Sequence, residues 1–158
     1  MRNRNTIVAV LASACLVTAG VLLGTTRAAG DDDAAATHLS IALHMGLMQR
    51  YAQKLGYALQ GKNKPLAAYY AKELEERADV MKAQVPTHEG IQVAQFVDMM
   101  LAPQLERMQK TVAVGDWAAA GKRYHSLVNA CNGCHTAAKH PYIQIKPAEG
   151  KAPFSQTF

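Results

Sequence analysis

No stretch of the sequence sustains an alternation of apolar and polar residues, so there is little from which to build a β-sheet. Basic residues are scattered and never form a stripe interleaved with aromatics, which make up only 6% of the chain; nothing points to a nucleic-acid partner. No carboxylate cluster or nucleophile–base pair stands out, and without one no substrate turnover is expected. Internal repeats and low-complexity segments are absent as well. Cysteine is scarce, with residues only at 15, 131 and 134.

What is present begins with a targeting pattern. Arg2 and Arg4 precede a run from Ile7 to Thr26 without a charge, the layout of a basic n-region and an apolar h-region. Ala28, Ala29 and Gly30 supply small residues ahead of Asp31, so residues 1–30 read as a signal peptide cleaved on export to the periplasm. An uncleaved membrane anchor is the alternative for a run of this length, and a lipid anchor on Cys15 is a weaker third. Cleavage takes three of the 17 basic residues, and 14 against 12 acidic ones lowers the net charge from +5 to +2. The remaining 128 residues suffice for one domain with a substantial core. Cys131 and Cys134 would then face an oxidising compartment. A disulfide between such near neighbours would constrain almost nothing, so another use is expected.

Glycine and proline divide the mature chain into four segments with helical periodicity, and the fold class is all-α. The first, about Thr37 to Gln60, carries Ile41, Met45, Met48, Ala52, Leu55 and Leu59 on one face, with Gly61 as its stop. The second runs from Lys64 to about Val85, capped by Asn63, with Pro65 in its first turn and Leu66, Tyr70, Leu74 and Met81 facing inward. In the third the core residues are Val93, Phe96, Met100, Leu105, Met108 and Val112, with a kink at Pro103 and an end at Gly115. Asp116 caps the fourth, whose seam is Trp117, Ala120, Tyr124, Leu127, Cys131 and Cys134. Short connections between long helices imply an antiparallel up-down-up-down four-helix bundle over residues 31–140. Residues 141–158 read as an irregular tail, laid over the bundle or mobile.

Cys131-Asn132-Gly133-Cys134-His135 is the C-x-x-C-H pattern of c-type haem attachment. Two thiols add to the haem vinyl groups, and the adjoining histidine is close enough to ligate iron. On a helix Cys131 and His135 share a face, with Cys134 beside them, and Gly133 keeps the turn slim next to a flat macrocycle. One covalent haem c on the fourth helix is therefore expected, with His135 as proximal ligand. Such attachment takes place outside the cytoplasm, in keeping with the export signal. Zinc is a rival, since Cys131, Cys134, His135 and His140 offer two sulfurs and two imidazoles, but three of them leave one continuous helix, whereas a tetrahedral site needs converging directions.

A four-helix bundle with C-N-G-C-H late in its fourth helix resembles the class II c-type cytochromes, the cytochrome c-prime group and its low-spin relatives. The resemblance covers about Thr37 to His140, and includes Asn63-Lys64-Pro65-Leu66-Ala67-Ala68-Tyr69-Tyr70 and His140-Pro141-Tyr142-Ile143. The tail to Phe158 departs from the compact family pattern. In that family a methionine from the first helix gives a six-coordinate iron suited to electron transfer, and an apolar residue there leaves a five-coordinate iron that binds small gases. The start of the first helix should lie beside the end of the fourth. Within about one turn of slack, His38, Met45 and Met48 point inward and His44 sits on the flank. Family precedent puts Met45 first and Met48 second, with His38, His44 or no sixth ligand remaining open. His88, His125 and His140 read as surface or outer-shell residues. The resulting expectation is a periplasmic electron carrier exchanging electrons with soluble or membrane-bound redox proteins. The alternative is a cytochrome binding nitric oxide or carbon monoxide, and pairing as a homodimer stays open.

Overall fold

A computed structural model describes the backbone of residues 30–158 and the side chains of residues 41–158. The export signal, the anchor alternatives and the side chain of His38 lie outside the described residues. Among the described residues the chain is all-helical, with no strand and one isolated bridge between His88 and Ile91. None of the described helices is long and apolar enough to cross a membrane.

Helix α1 spans Gly30–Gln60, starting seven residues before the expected Thr37. The extension follows from Ala34 to Ala36, good helix formers, and from Asp31 to Asp33, whose charges suit a helix N-terminus. Helix α2 spans Lys64–Gln84, with Pro65 in its first turn and the Asn63 side chain accepting from the Leu66 N–H at 3.2 Å. Between them the left-handed residue is Lys62 (φ 52°), not Gly61. What Gly61 provides is room, because the Phe158 carbonyl oxygen would stand 2.7 Å from a Cβ there.

The third expected helix is built from α3 (Val93–Phe96), a π-helical turn (Val97–Leu101) and α4 (Ala102–Val114). Pro103 lacks an N–H and crowds the carbonyl four residues back, and here the chain responds with a wider turn, in which the Ala102 N–H bonds to the Val97 carbonyl. Val97 and Leu101, four and eight residues before Leu105, are buried, whereas Phe96 and Met100, expected in the core, are only partly so. Gly115 closes α4 in the left-handed conformation (φ 77°), and Asp116 caps α5 (Trp117–Ala137) by accepting from the Ala119 N–H at 3.0 Å.

Helix α1 packs on α2, α2 on α4, α4 on α5, and α5 on α1. Leu55, Leu74, Met81, Leu105, Met108 and Leu127 are fully buried between them, each worth about 1.5–3 kcal/mol of apolar burial. The loop after α2 turns tightly at His88-Glu89-Gly90-Ile91. Glu89 and Gly90 both have positive φ, and the His88 and Ile91 backbones bond reciprocally at 3.0 and 2.8 Å.

Residues 141–158 lie on the bundle. The tail follows α5 and α1 away from the C-x-x-C-H motif: Ala148 N–H donates to Tyr124 Oη at 3.0 Å, and Gln60 Nε2 donates to the Ala148 carbonyl at 2.6 Å. Farther along, Tyr70 Oη donates to Gln156 Oε1 at 2.8 Å, while Phe154 and Phe158 pack on Tyr57. Gly56 is the close-approach point, since a Cβ there would sit 2.5 Å from Tyr124 and 2.7 Å from Ala148.

Candidate cofactor site

Several residues on the apolar seams are not closed over by the rest of the chain. Ile41 and Met45 on α1, Phe96 at the end of α3, and Cys131 and Cys134 on α5 are all only partly buried. All five face one cavity of about 430 Å³, within the range of small-molecule and cofactor sites. Met48, Ala52, Met81, Val97 and Leu101 form its inner wall, and Ala42, Gly46 and Gln49 continue α1's contribution toward the opening. Apart from the C-x-x-C-H side chains, the polar lining comes from Gln49, His88 and His140.

Cys131, Cys134 and His135 are therefore brought together on one wall, with both methionine candidates, Met45 and Met48, on the lining of the same cavity. His44 behaves differently. It is 4% exposed and absent from the lining, and its Nε2 lies 2.9 Å from Gln84 Oε1. Its flank position thus turns it toward α2 rather than the cavity. Gly133 also differs from expectation: a Cβ there would meet Met100 Cε at 2.7 Å, so the slim turn accommodates the π-helical segment and not the cavity.

His135 is the last basic residue of α5, where the helix dipole favours a cation, yet burial is the larger influence and lowers its pKa. Its Nδ1 lies 3.1 Å from the Ile143 carbonyl oxygen. A carbonyl only accepts, so Nδ1 carries the proton and Nε2 keeps the lone pair that a metal would use. Burial, reinforced by the neighbouring Cys134, pushes the Cys131 thiol from its usual value near 9.0 up to about 12, and burial likewise raises Cys134. Cys134 Sγ rests 3.7 Å from the Phe96 carbonyl oxygen.

These shifts predict a stability window for the chain with both thiols free. Unfolded histidine takes up a proton near 6.5 while folded His135 resists it, so stability falls as pH drops below that value. Unfolded cysteines ionise near 9.0 while the folded thiols keep their protons, so stability falls again between about pH 9 and 12. Urea midpoints measured across pH should fall on both sides, and Cys131→Ala should flatten the alkaline limb. An unchanged alkaline limb in that variant would contradict the burial of Cys131.

Several contributors to the cavity were not legible as such. His88 and His140, expected at the surface or in an outer shell, line the wall, whereas His125 is exposed as expected. Ile143 and Ile145 of the tail also line it. Asn132 anchors that part of the tail: its Nδ2 donates to the Ile145 carbonyl at 2.9 Å, and its Oδ1 accepts from the Ile145 N–H at 2.7 Å. The alternating Tyr142-Ile143-Gln144-Ile145-Lys146 is the only sequence signal that could have marked this wall.

Among the described residues no three His, Cys, Asp or Glu side chains are grouped as a metal ion held by protein alone would need. That arrangement gives no support to a tetrahedral zinc at Cys131, Cys134, His135 and His140. Comparison of the chain with protein-family models, with curated proteins and with solved structures finds no match.

Proposed function

We propose that the protein is an exported monohaem c-type cytochrome of the class II kind, an electron carrier whose haem is held by Cys131, Cys134 and His135. The carrying observation is that these three residues and Met45 line one largely apolar cavity of about 430 Å³. The donor set fits the group: two thiols for thioether bonds, and an imidazole whose Nδ1 is already engaged by a carbonyl. In this reading the helices alternate in direction, which sets the start of α1 against the end of α5 and brings Met45 within reach of the His135 wall.

Haem supplies one-electron chemistry at its iron. The chain's own residues do the rest. Cys131 and Cys134 would fix the position of the macrocycle and His135 would bind iron. Ile41, Met48, Ala52, Val97 and Leu101 exclude water, lowering the local dielectric and the reorganisation that accompanies a change of charge. Met45 would offer a thioether to the iron. Partners in this reading are soluble or membrane-bound redox proteins reached in the periplasm.

A five-coordinate cytochrome that binds nitric oxide or carbon monoxide is the second reading. Ile41, on the same lining one turn before Met45, favours it, since an apolar side chain facing the iron would leave that position open. A reduced-minus-oxidised absorption spectrum of the purified protein separates the two. Low-spin spectra unaltered by carbon monoxide are expected for the carrier; a high-spin spectrum with rapid carbon monoxide binding would transfer the assignment to the gas-binding reading.

A further inference from the structure

We infer that Asn132, the first residue between the two motif cysteines, is a positioning residue that sets the electron-donor strength of His135 through the C-terminal tail. The inference rests on the haem reading above. Asn132 and His135 lie three residues apart on α5 and so share a face. Across from them the tail has no regular structure of its own to hold its register. The Asn132 amide supplies that register, donating to the Ile145 carbonyl and accepting from the Ile145 N–H at 2.9 and 2.7 Å. A two-point amide pairing fixes the strand of chain against sliding as well as lifting. Two residues earlier on the same segment is the Ile143 carbonyl, which accepts the His135 Nδ1 proton at 3.1 Å. Ile143 is further braced by its own N–H on the His140 carbonyl at 3.0 Å, and His140 N–H on the His135 carbonyl at 2.8 Å.

The chemical consequence follows from how a metal-bound imidazole responds to its second nitrogen. A firm acceptor at Nδ1–H leaves more electron density at Nε2, makes the ligand more basic and fixes the ring plane. A more basic ligand stabilises the ferric over the ferrous state and lowers the reduction potential. Water in place of a fixed carbonyl is a mobile acceptor that does neither as well. Asn132 contributes no atom to iron, and its effect passes through Ile145 and Ile143 to His135.

The test compares the haem-loaded wild type with Asn132→Ala, Asn132→Asp and Ile145→Pro. Proline removes the N–H that Asn132 accepts from while leaving the attachment motif intact. The readouts are the midpoint potential and the solvent-exchange rate of the His135 Nδ1 proton, followed by proton NMR of the ferrous protein. Asn132→Ala and Ile145→Pro should raise the potential and speed exchange by about tenfold or more. Asn132→Asp, which keeps the acceptor and loses the donor, should fall between these variants and the wild type. If Asn132→Ala does not take up haem, Ile145→Pro decides alone. Variants that carry covalent haem with wild-type potential and wild-type exchange would overturn the inference and leave the cytochrome reading standing. A wild type without covalent haem would overturn both.

Discussion

Replacing Cys131 and Cys134 together by alanine should yield protein from which acidified organic solvent extracts all the haem, while each single replacement leaves one thioether and retains it. Haem that resists extraction from the double variant would show that attachment lies elsewhere. The structural effect should also be large. Without haem, apolar side chains such as Ile41, Met48, Val97 and Leu101 would line a cavity open to water, and each would lose part of the roughly 1.5–3 kcal/mol that full burial contributes. Stripping the haem from the double variant should accordingly lower helicity in circular dichroism and the urea midpoint, through the linkage between a bound group and folding. Loss should centre on the stretch of α1 around Ile41 and Met45, which have the cavity as their apolar surroundings. An extracted protein as helical and as stable as the loaded one would mean that the cavity needs no haem.

The second large effect belongs to Met45. With its sulfur on ferric iron, the oxidised protein should be low-spin and show a weak near-infrared charge-transfer band, and Met45→Ala should abolish both. The open position should then admit carbon monoxide to ferrous haem. The midpoint potential should fall, because thioether ligation raises it relative to water or histidine. Met48 lines the same cavity but is 7% exposed and belongs to the core cluster. Met48→Ala should therefore cost about 2–5 kcal/mol of packing and leave the spectrum unchanged. If the two variants exchange phenotypes, Met48 is the ligand and α1 presents its next turn. A wild type already high-spin and indifferent to Met45→Ala would remove the carrier reading.

The helical seams were largely readable because an amphipathic helix announces its buried face through steps of three and four. Leu55, Leu74, Leu105, Met108 and Leu127 were all assigned to the core and all are buried. The caps at Asn63 and Asp116 were readable for a similar reason, since each acts within three residues. The C-x-x-C-H constellation needs only local spacing, and it indicated the wall on which the cavity opens. Interactions over long sequence separation escaped. Nothing local says that Asn132 will pair with Ile145 or that His88 will reach the cavity from a turn. Nor does it say that Gly61 makes room for Phe158, nearly a hundred residues later. The register of Val97 and Leu101 was missed for a different reason: the seam was read through Phe96 and Met100 with a step of five to Leu105, whereas the buried residues lead back from Leu105 in steps of four.

That wide turn also marks where the chain tolerates a change of length. Each α-helical residue turns the chain by about 100°, so deleting a residue almost anywhere in a helix rotates one half of its side chains off the core. Between Val97 and Leu101 the surplus residue is already accommodated, and a deletion there would convert the π turn to ordinary α-helix with an unbroken backbone. Val93 and Phe96 upstream and Leu105, Met108 and Val112 downstream would keep their faces, because the wide turn absorbs the surplus residue without rotating them. Loss of a single residue here should therefore cost less stability than the same loss inside α2 or α4.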